Sequence, residues 1–299
     1  MALRLPTLKT HQREALDGYL FVLPWIIGFL AFVVGPMLIS LYISFTYTTG
    51  VSVPRWIGIA NYTRMFTQDP LFWSSLWNTL FYAVLSVPLT IVFAIFVAML
   101  LNQKIPGMAF FRTLYFLPFV VPIVATSILW LQIFNTRFGL LNIALEQFGL
   151  PRVPWLANIH TVKPALVIMS LWNFGGPMVI YLAGLQGIPK ELYEAAEIDG
   201  AGGFARVRHI TLPLLTPVIF FNLVVGTIAA LQIFLPAFIM TNGGPRNASR
   251  FFVLHVFHWA FGALDFSYGA ALSWMLLILT VILTFILFRV VGPRVHYYL

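Results

Sequence analysis

Six stretches of this chain carry no Asp, Glu, Lys or Arg: 18–54, 70–103, 113–136, 164–189, 209–245 and 266–288. A helix needs about 20 apolar residues to cross the hydrocarbon of a bilayer, and each stretch is longer than that. A charge at the bilayer centre costs roughly 2.5–3.5 kcal/mol on insertion scales, so the charges are confined to the links. The expected fold is an all-α polytopic membrane protein with six transmembrane helices, at 19–45, 76–101, 113–134, 163–186, 213–240 and 266–288. The run 251–264 is too short to cross and reads as an interfacial or lead-in segment. A composition that is 60% hydrophobic and 9% charged belongs to the same class.

The net charge of +8 raises nucleic acid as a partner, but the basic residues are scattered among links without a stripe, so that reading is set aside. Ten of the 17 Lys and Arg residues fall in 1–19, 103–113, 186–212 and 289–299, against seven in the alternate links. That excess puts both termini and the 186–212 link in the cytoplasm. Arg4, Lys9 and Arg13 precede an apolar run far longer than a signal-peptide core, with no small-residue cleavage site soon after, so the run reads as a retained first span. The chain then divides into a tail (1–17), a first span with its external link (18–75), a core (76–289) and a second tail (290–299). With no cysteine there is no disulfide framework. No glycine loop ends in Gly-Lys-Ser/Thr, so any ATP would be bound by another chain.

One link stands out. Residues 191–213 hold four of the nine carboxylates between two apolar runs, and so form a water-facing contact surface. Pro189 suits a first helical position, Leu192, Ala195, Ala196 and Ile198 are read as one apolar face, and Asp199-Gly200 supplies a stop where glycine takes positive φ. The helix is too short to be stable alone in water, so its apolar face is expected to dock.

The pattern Glu194-Ala195-Ala196, three residues, Gly200, nine residues, Ile210-x-Leu212-Pro213 resembles the EAA loop of binding-protein-dependent ABC import permeases at every signature position. The resemblance runs from Gly18 to about Arg289. WNTLFYAV at 77–84 and LPFVVPIVATSILW at 117–130 are similar to core segments of that family, and Thr241-Asn242-Gly243-Gly244-Pro245 to a motif of its carbohydrate branch. The closest likeness is to permeases for sugars and glycerol phosphates, such as the larger maltose permease.

The resemblance implies a type I ABC importer permease fold, in a multi-pass protein of a bacterial or archaeal cell membrane. It implies Glu191, Tyr193, Glu194, Ala195, Ala196, Asp199, Gly200 and Ala201 as residues that couple to an ATPase, with Glu194 pairing an ATPase arginine. It also implies the partners: a second homologous permease, two ATP-binding subunits and an extracytoplasmic solute-binding protein. ATP and Mg would lie on the ATPases, with no cofactor in this chain.

Asn173-Phe174-Gly175-Gly176-Pro177 falls at the midpoint of the fourth expected span. A break there frees backbone groups that only protein or a wet cavity can satisfy, although the residues alone also permit a plain proline kink. The resemblance favours the path, because the maltose permease carries sugar contacts on this segment. On span five, Asn222, Gly226 and Ile233 lie on roughly one face. Where the maltose permease is polar on this span the chain has Gly226, Ala230 and Ile233, so that sugar site does not carry over intact. The expected substrate path is Trp172, for stacking, with Asn173, Gly176, Gly226, Thr227, Ala230, Gln232 and Ile233.

Four further features are read structurally. Asn78 and Thr79 open span two and are expected to point into the bundle. Residues 139–148 are expected as a short helix lying flat on the bilayer, and Trp56, Tyr62, Phe72 and Trp73 as headgroup-level aromatics or a surface for a soluble partner. His255 and His258 are three apart with no third ligand, which favours aromatic packing over metal. No nucleophile, base and acid come together, so an enzyme is not expected. The competing reading, a self-contained secondary carrier or channel, is weakened by the absence of mid-span charge and of an inverted repeat. A sugar or sugar-like solute is the expected cargo, with glycerol 3-phosphate or another polar solute as the alternative.

Overall fold

The computed structural model describes residues 10–48, 50, 52–103 and 105–295; residues 1–9 and 296–299 of the two expected tails, Thr49 and Val51 of the first external link, and Lys104 of the 103–113 link lie outside the described residues. Helix α1 (Thr10–Phe29) begins inside the stretch expected as tail. It continues through a π-helical stretch, Leu30–Val34, into α2 (Gly35–Ser44). Pro36 has no N–H to offer the preceding turn, and the ladder slips so that Gly35 N–H reaches back five residues to Leu30 O. Strands β1 (Thr46–Tyr47) and β2 (Arg55–Trp56) pair antiparallel, the only sheet among the described residues. Helix α3 (Ala60–Thr67) is tied to this link by Asn61, whose amide donates to Ser44 O at 2.9 Å and Thr46 O at 2.8 Å.

Helix α4 (Phe72–Leu101) runs 30 residues, about 45 Å, without a stop. Helices α5 (Met108–Val120) and α6 (Ile123–Ile133) follow, and between them the chain turns by 95°. The third span expected over 113–134 is therefore two helices that begin at Met108 and meet at a sharp bend, rather than one continuous helix. Val121 is extended (φ −69°, ψ 129°), as a residue before proline must be, and Pro122 has no N–H to continue the ladder.

Helix α7 (Leu140–Gln147) is anchored by buried Asn142, which accepts from Val153 N at 3.0 Å and Trp155 Nε1 at 3.1 Å. Helix α8 (Val162–Leu171) passes through a 3₁₀ turn, Trp172–Phe174, into α9 (Gly175–Gln186). Then come α10 (Lys190–Ile198), α11 (Gly203–Arg206), a π-helical stretch Val207–Thr211 and α12 (Leu212–Leu214). The last run comprises α13 (Thr216–Leu231), α14 (Leu235–Met240), α15 (Phe252–Phe257) and α16 (Phe266–Val290), the last capped by the Asp265 carboxylate on Tyr268 N at 3.0 Å.

Among the described residues five helical segments are long and apolar enough to cross a membrane, and six if α5 and α6 count as one span. Hydrocarbon is as apolar as leucine, so the helices associate by close packing rather than by escape from water. Helix α4 is their common partner, lying against α8, α9, α13 and α15. Its Tyr82, Ala83 and Val87 join Leu166, Leu231 and Phe251 in one core cluster. Its Ala94, Ile95, Ala98 and Leu101 join Met178, Tyr181 and Leu185 in a second, at the α10 end of the bundle. A third cluster, with Met65, Phe72, Phe252 and Tyr268, closes the opposite end, so Phe72 is core and not a surface aromatic as expected. Trp56 and Trp73 are exposed.

Candidate functional site

The break in the bundle lies on span five rather than span four. Helix α13 stops at Leu231, Gln232 leaves the helical register (φ −100°, ψ 15°), Phe234 sits at φ −139°, ψ −68°, and Pro236 then opens α14. A cavity of about 520 Å³ opens against this break. Its polar lining is Tyr82, Ser86 and Thr90 from α4, Ser170 from α8, Asn173 from the 3₁₀ turn, and Gln232. Every one of these is a hydroxyl or an amide, which both donate and accept, and no charged side chain lines the space among the described residues. Phe234 adds an aromatic wall.

Five of the eight path residues expected from sequence meet here: Asn173, Gly226, Ala230, Gln232 and Ile233. The other three do not. Trp172 sets its ring edge-on against Trp130 at 5.8 Å and is 38% exposed outside the cavity. Thr227 turns its hydroxyl back to Leu223 O at 2.7 Å and lines a separate apolar crevice with Leu80, Leu231 and Leu283. Gly176 packs under Phe119, where a Cβ would come within 2.7 Å of the ring. The Gly-Gly-Pro stretch is thus no wet break: one 3₁₀ turn keeps the helix going, and the glycines let α9 approach α5 closely. Sequence reading missed Tyr82, Ser86 and Thr90, although their spacing of four on the largely apolar part of α4 that follows Thr79 was visible.

At one end of the bundle, α10 presents two faces. Leu192, Tyr193 and Ala196 are half-buried, and the first two pack on the cluster of Leu101, Leu185 and Leu215. The expected apolar face is corrected accordingly, since Ala195 is exposed and Ile198 is 88% exposed. Glu191, Glu194, Ala195 and Ile198 recur at helical spacing on the outward side. Glu191 also lies in the first turn, where the helix dipole favours an acid. The helix ends at Gly200 (φ +79°), with Ala201 N–H on Ala196 O at 2.8 Å and Gly200 N–H on Glu197 O at 3.0 Å. That hydrogen-bond pair needs a left-handed residue at Gly200, which only glycine takes without strain. Asp199 is exposed beside it.

A second polar group, also missed, fills the other end. Asp69 Oδ2 accepts from His255 Nε2 at 2.7 Å and from Tyr268 OH at 2.6 Å, and Asp69 Oδ1 from Leu71 N at 2.9 Å. Arg250 Nε donates to His255 Nδ1 at 3.1 Å, which fixes the imidazole proton on Nε2. The expected aromatic packing of His255 is therefore incomplete: its ring stands edge-on to Trp259, but both nitrogens are committed to polar partners. Burial pushes Asp69 upward, yet the hydrogen bonds of Tyr268 and His255 outweigh it and hold the carboxyl below its usual value. Burial holds His255 below the ordinary imidazole value, against the pull of Asp69. Beside them Arg64 pairs with Asp265 at 2.8 Å and lies over the rings of Trp259 and Tyr268.

The family model for the inner membrane component of binding-protein-dependent transport systems matches residues 90–297. The chain belongs to that family. This permease is 41% identical over 293 residues to the probable ABC transporter permease protein YesP of Bacillus subtilis, covering 97% of this chain and 94% of that one. It is 34% identical over 286 residues to the trehalose/maltose transport system permease protein MalF of Thermococcus litoralis, covering 95% and 96%. Its fold matches a bacterial alginate ABC transporter in complex with alginate pentasaccharide-bound periplasmic protein, with TM-score 0.81 and 23% identity over 93% of this chain and 94% of that one. The permease is a multi-pass membrane component with the type I importer fold, as the EAA pattern led us to expect.

Proposed function

We propose that this permease subunit carries a sugar or sugar-like solute inward across the membrane, in an importer whose ATP is bound and hydrolysed by separate chains. The carrying observation is the cavity at the span-five break, whose mostly apolar wall, Phe234 included, is set with hydroxyls and amides and bears no charge, a combination that suits a polyhydroxylated solute. The relative named for trehalose and maltose transport supports a sugar. A complex of the matched fold with a periplasmic protein supports delivery by an external binding protein, at the end of the bundle that holds Asp69 and His255.

On this reading two ATPases with their Mg and ATP dock at the α10 end, and a second homologous permease closes the path. Both termini then lie in the cytoplasm, in keeping with the excess of basic residues on that side. The outward stripe of Glu191, Glu194, Ala195 and Ile198 is the ATPase contact. Closure of the ATPases moves α10 as a rigid lever, and the bend at 232–234 is where span five yields between inward-open and outward-open states.

The test is ATP-driven uptake by the reconstituted importer carrying Glu194→Lys. Loss of uptake with the complex's membrane level intact is expected, because a charge-assisted contact is replaced by a repulsion. Wild-type coupling in that variant would sink the docking assignment.

A further inference from the structure

A second cavity, of about 250 Å³, opens at the Asp69 end and is lined by Arg250, Asn242 and His258 together with Phe238, Leu254 and Phe257. Three observations bear on what it takes. First, Arg250 is held there by design of the fold: its Nε is engaged by His255 Nδ1, and His255 is in turn locked by Asp69. Among the described residues neither terminal nitrogen of that guanidinium has a hydrogen-bond partner, and no carboxylate lines the cavity. Asp69 sits behind the imidazole with both oxygens already occupied. Second, the loop bearing this cavity is rigid and conformationally costly, with Asn242, Arg246 and Asn247 at φ +46°, +48° and +63°. It is fastened by Thr241 to Ser249 at 2.7 Å and by Asn78 to Asn247 O at 3.0 Å. Third, an aromatic row joins the two cavities. Phe234, a wall of the first, stacks on Phe238 at 5.3 Å, and both lie within 5.2 Å of Phe257 in the wall of the second, at 5.1 and 5.2 Å.

From this geometry we infer that the solute is an acidic saccharide, whose carboxylate is received by the Arg250 fork, with Asn242 and His258 beside it, before its rings pass along Phe234, Phe238 and Phe257 to the neutral cavity. A planar guanidinium with two free nitrogens matches a carboxylate in bidentate fashion, and aromatic faces carry sugar rings without demanding a fixed register. The hydroxyl and amide lining of the first cavity then needs to recognise only the ring hydroxyls. His255 and Asp69 act as positioning residues for Arg250. The inference rests on the sugar reading above and adds the acid group to it.

The complete importer, with its partner permease, ATPases and binding protein, is reconstituted with ATP enclosed and offered two probes: uronate oligosaccharides from hydrolysed pectate and alginate, and neutral ones from hydrolysed starch and cellulose. Wild type is expected to take up the uronates, and Arg250→Gln to lower the ratio of acidic to neutral uptake about ten-fold, as loss of a charge-assisted contact does. Arg250→Lys, which keeps the charge but not the fork, should fall between them, and it gives the same comparison if Gln prevents assembly. Uptake of neutral probes alone by wild type, or an unchanged ratio in both variants, overturns the inference and leaves the sugar reading standing. Uptake of neither probe overturns the sugar reading and this inference together.

Discussion

The hydroxyl of Tyr193 lies 2.9 Å from Thr211 Oγ1, across eighteen residues of chain. This bond fastens α10 to the π-helical stretch that leads through α12 into span five. A second tie, Arg206 to Glu197 at 3.3 Å, is exposed and adds little. On the proposed coupling, motion imposed on α10 would reach the span that holds the break through Tyr193 and its apolar neighbours.

Tyr193→Phe keeps the ring in the cluster of Leu101, Leu185 and Leu215 but removes the bond, a loss of about 0.5–1.5 kcal/mol. Uptake per ATP hydrolysed should fall while the amount of complex in the membrane stays the same. Unchanged stoichiometry would mean that the apolar contact alone carries the motion.

Gly200→Val should be far more damaging than Gly200→Asn. Nothing lies within 4 Å of a Cβ built at this glycine, so the cost is purely that of φ +79°, about 1–2 kcal/mol for a residue with a side chain and least for Asn. Equal losses of ATP-coupled uptake in the two variants would refute the backbone argument.

Gln232→Ala and Asn173→Ala should each slow uptake several-fold, and Thr227→Val should not, although Thr227 is the neighbour of cavity-lining Gly226. Cysteines placed at 173 and 232 in this cysteine-free chain should react with water-soluble thiol reagents in at least one nucleotide state, whereas one at 227 should not. Labelling at 227 with none at 173 and 232 would move the path to the other face of α13.

Gly176→Ala should lower the thermal stability of the complex without altering which sugar it prefers, because its methyl would press into the Phe119 ring. Phe119→Leu should recover part of the loss. A double variant no better than the sum of its parts would show that the two residues do not share this contact.

Acid should weaken the Asp69 end. His255 titrates below 6.5 when folded, so once the pH falls below about 6.5 the unfolded chain takes up a proton that the folded one refuses, and stability declines toward the folded value. Asp69, held below 3.8, contributes a further loss only in more acid solution. The thermal midpoint of the complex, followed from about pH 8 to about pH 5, should fall in wild type and fall less in His255→Gln. Parallel curves would assign the slope to other groups.

The sequence by itself determined the class, the family and which runs are long and apolar enough to cross a membrane, because each rests on a local property. Charge-free runs longer than a bilayer is thick can cross it, the EAA pattern is a contiguous stretch, and Gly200 needs positive φ from its own helix end alone. The break that defines the cavity was not legible. Gly175-Gly176-Pro177 carries the stronger local signal, yet whether glycines open a helix or admit a neighbour depends on Phe119, some sixty residues away. The faces of α10 were likewise settled by the cluster beneath it, which draws in Tyr193 and leaves Ile198 outside. The group of Asp69, Arg250, His255 and Tyr268 has no sequence signature, since its members come from two links, from α15 and from the first turn of α16. A buried polar side chain is defined by the partners that satisfy it, and only the packing of α3, α15 and α16 brings those partners within reach.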